Sequence, residues 1–529
     1  MLAIQNLGYA HPNKDVLFDG LNLTVNDHQK VALVGNNGAG KSTLLQLIAG
    51  LLPPTQGRVT VNSAPYYVPQ HFGQFDALTV AQALGIEGKI AALHEILAGR
   101  ATEAHLATLD DDWTIEEWSQ EALRQWGLPG LSLTHPLASL SGGQKTRVLL
   151  AGIVVHQPGM VLLDEPSNHL DGAGRQLLYD FIASIARTLL VVSHDRKLLN
   201  LLGAVAELGK RGIVLYGGNY AFYAGQKQAE GTALRHDVQS REKALRKAKE
   251  TEREALERKQ KLDARGKKSQ DKAGLPAIVL GMMRNSAENS GARLKSQHAE
   301  KVGTIAQELS ELRKELPDLD KMKFGFDNSA LHKGKILFTA ANLNYGYGPH
   351  PLWQPALHFQ VHSGERIALR GPNGSGKTTL IRLLLGQLAP QAGTLYRAQA
   401  QAVYIDQDYS LIDTQRTVYG QARQFNALAL PEHEVKIRLA RFLFTKDDWD
   451  KSCQALSGGE KMRLLLCCLT IRSQAPDLII LDEPTNNLDI QNVEILTAAL
   501  HDYQGTLLVV SHDAHFLEQA GVARTIELG

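Results

Sequence analysis

Two patterns alternate along most of the chain. Short apolar runs, among them Lys30-Val31-Ala32-Leu33-Val34, Val161-Leu162-Leu163, Arg366-Ile367-Ala368-Leu369 and Ile479-Ile480-Leu481, have the length of buried strands, and residues 189–192 and 507–510 read likewise. Between them lie stretches with apolar residues at helical spacing, such as Leu44, Leu45, Leu47 and Ile48, or residues 145–154. Strands alternating with helices predict an α/β fold. The middle of the chain is different. From about Gln226 the apolar rhythm gives way to charges of alternating sign, which predict a long solvent-exposed helix supported by i,i+4 pairs. Gly266, Gly274 and Pro276 are expected to interrupt it, followed by an apolar tip at residues 277–283 and a second helix from about Ala292 to Leu316.

The first apolar run leads into Gly35-Asn36-Asn37-Gly38-Ala39-Gly40-Lys41-Ser42-Thr43, which fits the phosphate-binding pattern G-x-x-x-x-G-K-[ST]. Gly35, Gly38 and Gly40 let backbone N–H groups close around phosphate oxygens, and the helix that follows adds its positive dipole end. Lys41 is expected at the β/γ-phosphates and Ser42 on Mg²⁺, with Asn36 and Thr43 in the same loop. The loop returns at an offset of 336 as Gly371-Pro372-Asn373-Gly374-Ser375-Gly376-Lys377-Thr378-Thr379. Other landmarks repeat in the same order: Tyr9 with Tyr345, Gln70 with Gln407, Ser141-Gly142-Gly143 with Ser457-Gly458-Gly459, Asp164-Glu165-Pro166 with Asp482-Glu483-Pro484, and His194 with His512. Such order implies two homologous units of about 200 residues. From Gln70 to Ser141 is 71 residues against 50 from Gln407 to Ser457, so the first unit carries an insertion near 86–112, expected to be a small helical arm.

Asp164 and Asp482 each end an apolar strand, where α/β sheets bind ligands, and are expected to hold Mg²⁺. Glu165 and Glu483 follow, placed to polarise the water that attacks a γ-phosphate. Ser141 and Ser457 open helices ahead of paired glycines. Alone that is the pattern of a plain cap, but because each phosphate loop already has its own helix dipole, a second anion site in each unit points to another nucleotide. His194 and His512 sit in Ser-His-Asp, but contiguous residues do not make a hydrolase triad, and a γ-phosphate sensor is the better role. Tyr9 and Tyr345 are candidates to stack on adenine.

The net charge of +1 points to no partner by itself, so any electrostatic signal is local. Residues 235–301 hold 18 Lys/Arg against 10 Asp/Glu, a local excess of eight. Cys453, Cys467 and Cys468 form no metal or disulfide framework, which suggests cytosolic thiols. No run of about 18 apolar residues is present, and the first residues lack a signal-peptide pattern, so a cytoplasmic chain without a membrane span is expected.

Together these motifs resemble the ATP-binding cassette superfamily over about 400 residues: Walker A (35–43, 371–379), Q-loop (Gln70, Gln407), signature (140–144, 456–460), Walker B (161–165, 479–483), D-loop (167–171, 485–489) and switch histidines. Two cassettes, a charged linker and an arm in the first cassette look like the ABC-F subfamily. The resemblance implies two P-loop cassettes, 1–225 and 336–529, joined by a helical-hairpin linker at 226–335. It implies an ATPase with ATP and Mg²⁺ as cofactors, Gln70 and Gln407 reaching metal and water. Each ATP would be sandwiched between the Walker A loop of one cassette and Ser141/Gly143 or Ser457/Gly459 of the other, within one monomer. It further implies binding to the ribosome, its RNA and tRNA through the linker, in translation regulation or antibiotic resistance. The alternatives are the energy-coupling subunit of a membrane transporter and a DNA-repair or chromosome ATPase. The basic helical linker argues against the first, and the absence of zinc-type cysteine pairs against the second.

Overall fold

In the computed structural model the apolar runs become the central strands of two parallel sheets. It describes all residues except 13, 71, 210–211, 271–276, 317–321, 323–331, 349, 473, 487 and 529, and gives only the backbone in the rest of 263–295. One compact unit comprises 1–223 with 322–529, and a second comprises 224–321.

In the first cassette the strand order is Tyr66–Val68, Met160–Asp164, Thr188–Val192, Lys30–Val34, Ala204–Gly209 and Gly212–Gly217, all parallel but the last. The second cassette repeats it with Ala402–Ile405, Leu478–Asp482, Thr506–Val510, Arg366–Arg370 and Arg524–Glu527. All five residues of Met160–Asp164 and of Leu478–Asp482 are buried, which is why these strands read as unbroken apolar runs rather than alternations. Each cassette adds a three-stranded antiparallel sheet, centred on Leu2–Ala10 in the first and Ile336–Asn344 in the second. The helix after each phosphate loop, Lys41–Ile48 or Lys377–Leu384, is held between the two sheets. Leu44, Leu45 and Ile48 pack with Leu2, Leu7, Leu33 and Leu190, and Leu380, Ile381 and Leu384 with Leu337, Leu343 and Ile480. Burying each such leucine contributes roughly 1.5–3 kcal/mol, so the core itself fixes the helix whose first turn is the phosphate site.

A half-buried cation ties the sheet to the helix behind it. Lys30 Nζ donates to the carbonyls of Ile182 and Ala183, at 2.7 and 3.1 Å, at the end of helix Gly172–Ser184. Arg366 takes the same place in the second cassette, donating to Leu500 and Tyr503 near the end of helix Ile490–Asp502 and to Ala520 at the end of helix Ala514–Gln519. Cations at helix C-termini meet both the free carbonyls and the negative dipole end.

Helices Glu87–Leu97 and Glu103–Leu109 lie in the segment where the sequence suggests an arm. A lone antiparallel bridge, Thr79 with Pro136, closes this excursion at its base, and Thr417 with Ser452 closes the shorter equivalent in the second cassette.

The second compact unit is a pair of long helices, Tyr220–Gln270 and Ala277–Glu315. Val238 and Leu309 are buried there, flanked by the exposed pairs Arg241–Glu308 at 3.0 Å and Arg313–Glu242 at 2.6 Å. Two expectations change. The first helix runs through Gly266, because a glycine costs a helix only about 1 kcal/mol and long flanks absorb that. The second begins at Ala277 rather than near Ala292, so residues 277–283 form its first turns instead of a separate tip. Gly274, Lys272 and Pro276 lie outside the described residues, as do the side chains of Lys267, Lys268, Arg284, Arg293 and Lys295. The α/β class, with two P-loop cassettes joined by a long helical linker, is as expected.

Candidate functional site

Each phosphate loop is a turn between a buried strand and a helix. Gly40 and Gly376 stand at the helix starts with φ of 93° and 88°, a left-handed backbone that favours glycine. A Cβ on Gly40 would also lie 2.5 Å from the ring of Phe18. Gly35, Asn36 and Gly38 curl around Lys41, whose Nζ donates to the carbonyls of Gly35 and Asn36 at 2.7 and 3.2 Å. Lys377 Nζ does the same to Gly371 and Pro372 at 2.8 and 3.0 Å, with Asn373 and Gly374 completing that loop.

A cavity of about 330 Å³ opens at the first loop. Gly38, Gly40, Lys41, Ser42 and Thr43 line one side of it, and Gln70, Asp164, Glu165 and His194 the other. The structure thus brings these nine residues together, while Gly35, Asn36, Tyr9, Ser457 and Gly459, which the sequence also assigned to this site, are not among those lining the cavity. His11 and Leu17 also border this cavity, whereas Tyr9 stands half-buried against the core with its ring edge-on to His11 at 5.5 Å. In the second cassette Tyr345 likewise meets Tyr347 edge-on at 5.2 Å, and the Tyr347 hydroxyl lies 3.2 Å from Thr379 Oγ1. Gln407 is exposed in a turn.

The acidic residues are buried and fixed from the strands. Asp164 accepts from the Tyr67 hydroxyl at 3.3 Å, and Asp482 from Tyr404 at 2.9 Å and from the Thr378 hydroxyl. Tyr67 and Tyr404 were missed by sequence reasoning, although they are related by the same offset of 337 that links the glutamines. Glu165 and Glu483 have positive φ, 50° and 49°, at equivalent positions, a conformation that non-glycine residues adopt at a cost and that clusters at functional sites. Their amides donate to Val192 and Val510 at 2.8 Å, which pins each glutamate to the strand that carries the histidine. His194 Nε2 lies 3.2 Å from Glu165 Oε1, and His512 Nε2 3.4 Å from Glu483 Oε1. These contacts are not ion pairs. Burial pushes Glu165 up to about 8 and Glu483 to about 7, and lowers His194 to about 3 and His512 to about 4, so all four favour their neutral forms.

The sign of each shift sets a pH dependence. The raised glutamates contribute stability that is full below their ordinary 4.5 and lost as pH rises through about 7 to 8. The lowered histidines contribute stability that is full above 6.5 and lost as pH falls through about 4 to 3. Between pH 6.5 and 8 only the glutamate limb acts. The melting temperature of the nucleotide-free protein is therefore expected to fall across that window, and Glu165→Gln with Glu483→Gln to flatten it. A thermal series showing an unchanged slope in the variant would assign the limb to other groups.

Across the junction the cassettes meet through their D-loops. Asp489 caps helix Ile490–Asp502 with one carboxylate oxygen, accepting from Asn492 N at 2.8 Å, and with the other accepts from Asn37 N of the first phosphate loop at 2.7 Å. Asn373 of the second loop donates to the His169 carbonyl at 3.2 Å, and a Cβ on Gly143 would lie 3.5 Å from the same Asn373 amide. Burial lowers Lys41 against the charges of Glu165, Asp489 and Asp164, and lowers Lys377 against Glu483, Asp482 and Asp171. Each lysine therefore feels the D-loop aspartate of the opposite cassette. Ser141 and Ser457 form capping boxes with Gln144 and Glu460, so their side chains do act as helix caps. Gly459 borders Asn492 of its own cassette.

Among the described residues the buried atoms Glu483 Oε2, His194 Nδ1 and Ser375 Oγ have no hydrogen-bond partner. Orphaned polar atoms at a glycine-rich loop fit a site shaped for a phosphate ligand and its water, and hydroxyl and carboxylate oxygens suit a hard cation such as Mg²⁺. Fold and site together define a tandem P-loop nucleoside triphosphatase. The sequence profile of the ABC transporter family matches residues 18–168 and 355–486. The ATP-binding protein Uup of Haemophilus influenzae is 30% identical over 97% of this chain and 76% of its own length. The energy-dependent translational throttle protein EttA of Mycobacterium tuberculosis is 30% identical over 96% of this chain and 88% of its own. An archaeal ribosome recycling factor, solved with a ribosomal stalk protein, shares the fold with a TM-score of 0.58 at 20% identity, covering 97% of this chain and 86% of that one. The chain belongs to the ATP-binding cassette family, in its ABC-F branch, and is an ATP hydrolase. Among the described residues no helix is long and apolar enough to cross a membrane.

Proposed function

We propose that the chain binds and hydrolyses two ATP molecules at the junction of its cassettes and couples this cycle to the ribosome. The reciprocal D-loop contacts carry the two-site reading, since Asn37 is bonded to Asp489 and Asn373 to His169, each loop reaching the opposite cassette. One ATP lies between Lys41 and Ser457/Gly459, and the other between Lys377 and Ser141/Gly143. In each site backbone N–H groups of the loop and the lysine hold the phosphates. Ser42 and Asp164 with Gln70, and Thr378 and Asp482 with Gln407, are the residues that would hold Mg²⁺, which would supply neutralisation of the phosphate charge. Glu165 or Glu483, in the ionised form that the charge of Lys41 or Lys377 favours against burial, orients a water and accepts its proton as the water oxygen bonds to the γ-phosphorus. The β–γ bridging oxygen leaves with ADP, and inorganic phosphate is formed. His194 or His512 donates a hydrogen bond to the γ-phosphate. Tyr9 and Tyr345 form the back wall behind His11 and Tyr347, on the adenine side.

The division into cassettes at 1–225 and 336–529, with a linker at 226–335 and an arm near 86–112, belongs to the same proposal, as does a monomeric, cytoplasmic state with the cassettes paired within one chain. The relative named a translational throttle supports regulation of translation over protection against antibiotics. The linker's local excess of basic charge supports contact with ribosomal RNA and tRNA. Replacing Lys267, Lys268, Lys272 and Arg284 by glutamine is expected to lower ribosome affinity and flatten its salt dependence. For every phosphate that the variant no longer neutralises, the slope of log affinity on log salt falls by about 0.7–0.9. Co-sedimentation with ribosomes across a salt series tests this, and superimposable curves for variant and parent would remove the linker's charge from the mechanism.

A further inference from the structure

Two cavities share one wall. Glu165 and His194 border the nucleotide cavity at the first phosphate loop, and the same two side chains border a second cavity of about 350 Å³ between the cassettes. They form a single partition: Glu165 accepts from the His194 backbone N–H at 3.3 Å, and its Oε1 lies 3.2 Å from His194 Nε2. Both members of the partition are side chains, so a rotamer change opens it without moving the strands. From the buried Glu165 the second cavity runs outward to Gly172, Lys197 and Ala514, which are exposed. A path thus leads from the phosphate loop, past the two side chains nearest the reacting phosphate, to the surface.

The lining of the second cavity suits an anion. Arg175 is half-buried there, and its Nε donates to the Leu170 carbonyl at 3.2 Å, which fixes the guanidinium plane. Among the described residues its two terminal nitrogens have no hydrogen-bond partner and no carboxylate stands within ion-pair distance. Asn168 Nδ2, also of this lining, is buried without a partner. Unpaired donors on a planar cation and an amide match the oxygens of a phosphate. The aspartates that border the cavity are already engaged. Asp195 accepts from the Tyr179 hydroxyl and from the N–H groups of Lys197 and Leu198, and Asp513 caps helix Ala514–Gln519. We propose that this cavity takes the inorganic phosphate released at the Lys41 site: the ion passes between Glu165 and His194 and rests on Arg175 and Asn168 before it leaves at the rim. No bond forms or breaks in this step, and the front of the nucleotide site stays covered. In the second cassette His512 borders the cavity but Glu483 does not, so the path serves one site. This inference rests on the two-site reading above.

The test follows ATP cleavage by chemical quench and phosphate appearance by a fluorescent phosphate reporter, both in the full-length chain. Arg175→Gln removes the charge, and Gly172→Phe narrows the mouth. A Cβ on Gly172 meets no atom within 4 Å, and replacing a glycine in a helix favours the helix, so the second variant is expected to fold. In both, cleavage is expected to stay within about twofold of the parent while phosphate release slows about tenfold, the effect of one charge-assisted hydrogen bond. Arg175→Lys is expected to recover part of the loss, since it keeps the charge but not the planar donors. Added inorganic phosphate is expected to inhibit the parent, and Arg175→Gln to raise the half-inhibiting concentration about tenfold. The lag between cleavage and release is expected in the Glu483→Gln background, which leaves the Lys41 site active, and not in Glu165→Gln. Release as fast as cleavage in both variants, an equal lag in both backgrounds, or unchanged phosphate inhibition would overturn the proposal. Failure of the two-site reading looks different: Glu165→Gln and Glu483→Gln would then each turn over ATP like the unmodified chain, before any cavity residue is changed.

Discussion

Glu165→Gln combined with Glu483→Gln is expected to lower ATP turnover roughly 10²–10⁴-fold, the usual contribution of a positioned general base, while nucleotide binding persists. The substitution keeps the size of both side chains, and burial already holds both carboxyl groups toward their neutral form, so the amide introduces no new desolvation cost. Lys41, Lys377, Asp164 and Asp482 are untouched, and the loops keep their lysine-to-carbonyl bonds. What disappears, on the proposed mechanism, is the ionised carboxylate that accepts the water's proton. A phosphate-release assay beside a fluorescent-nucleotide titration checks both halves. Turnover at the parent rate would show that the two glutamates, despite their shared positive φ, have no part in the chemistry.

The second large effect is expected from the signature serines, and it crosses between cassettes. In the Glu483→Gln background the surviving turnover belongs to the Lys41 site. Ser457→Arg is expected to abolish it, because a long cation would fill the space between that helix start and the opposite loop. In the Glu165→Gln background Ser141→Arg is expected to do the same to the Lys377 site, where Gly143 faces Asn373. The loss should be at least about tenfold, since one overpacked side chain costs on the order of 1–3 kcal/mol. If each arginine instead silenced the site of its own cassette, the head-to-tail arrangement would be wrong.

Much of this architecture was legible before any coordinates. Central parallel strands buried on both faces are continuous apolar runs, so 161–163 and 479–481 announced themselves. The phosphate loops were legible because few residues tolerate the backbone that Gly40 and Gly376 adopt. The partners of Asp164 and Asp482 were not, because Tyr67 and Tyr404 sit on a neighbouring strand and look like ordinary core residues until the strands are paired. The linker misled at Gly266 because local propensity is a weak guide inside a helix of 51 residues.

The bridges at Thr79–Pro136 and Thr417–Ser452 bear on how such chains change length. Each pinches the chain shut, enclosing an excursion of 56 residues in the first cassette and 34 in the second. By the logarithmic dependence of loop closure on length, going from the shorter to the longer adds only about 0.4 kcal/mol. The glycine loops, acidic strands and histidines all lie outside the pinch. A lineage can therefore grow, trim or exchange this excursion almost freely while its nucleotide machinery stays unaltered, and an engineer who wants to graft a foreign module onto the protein has the same doorway available.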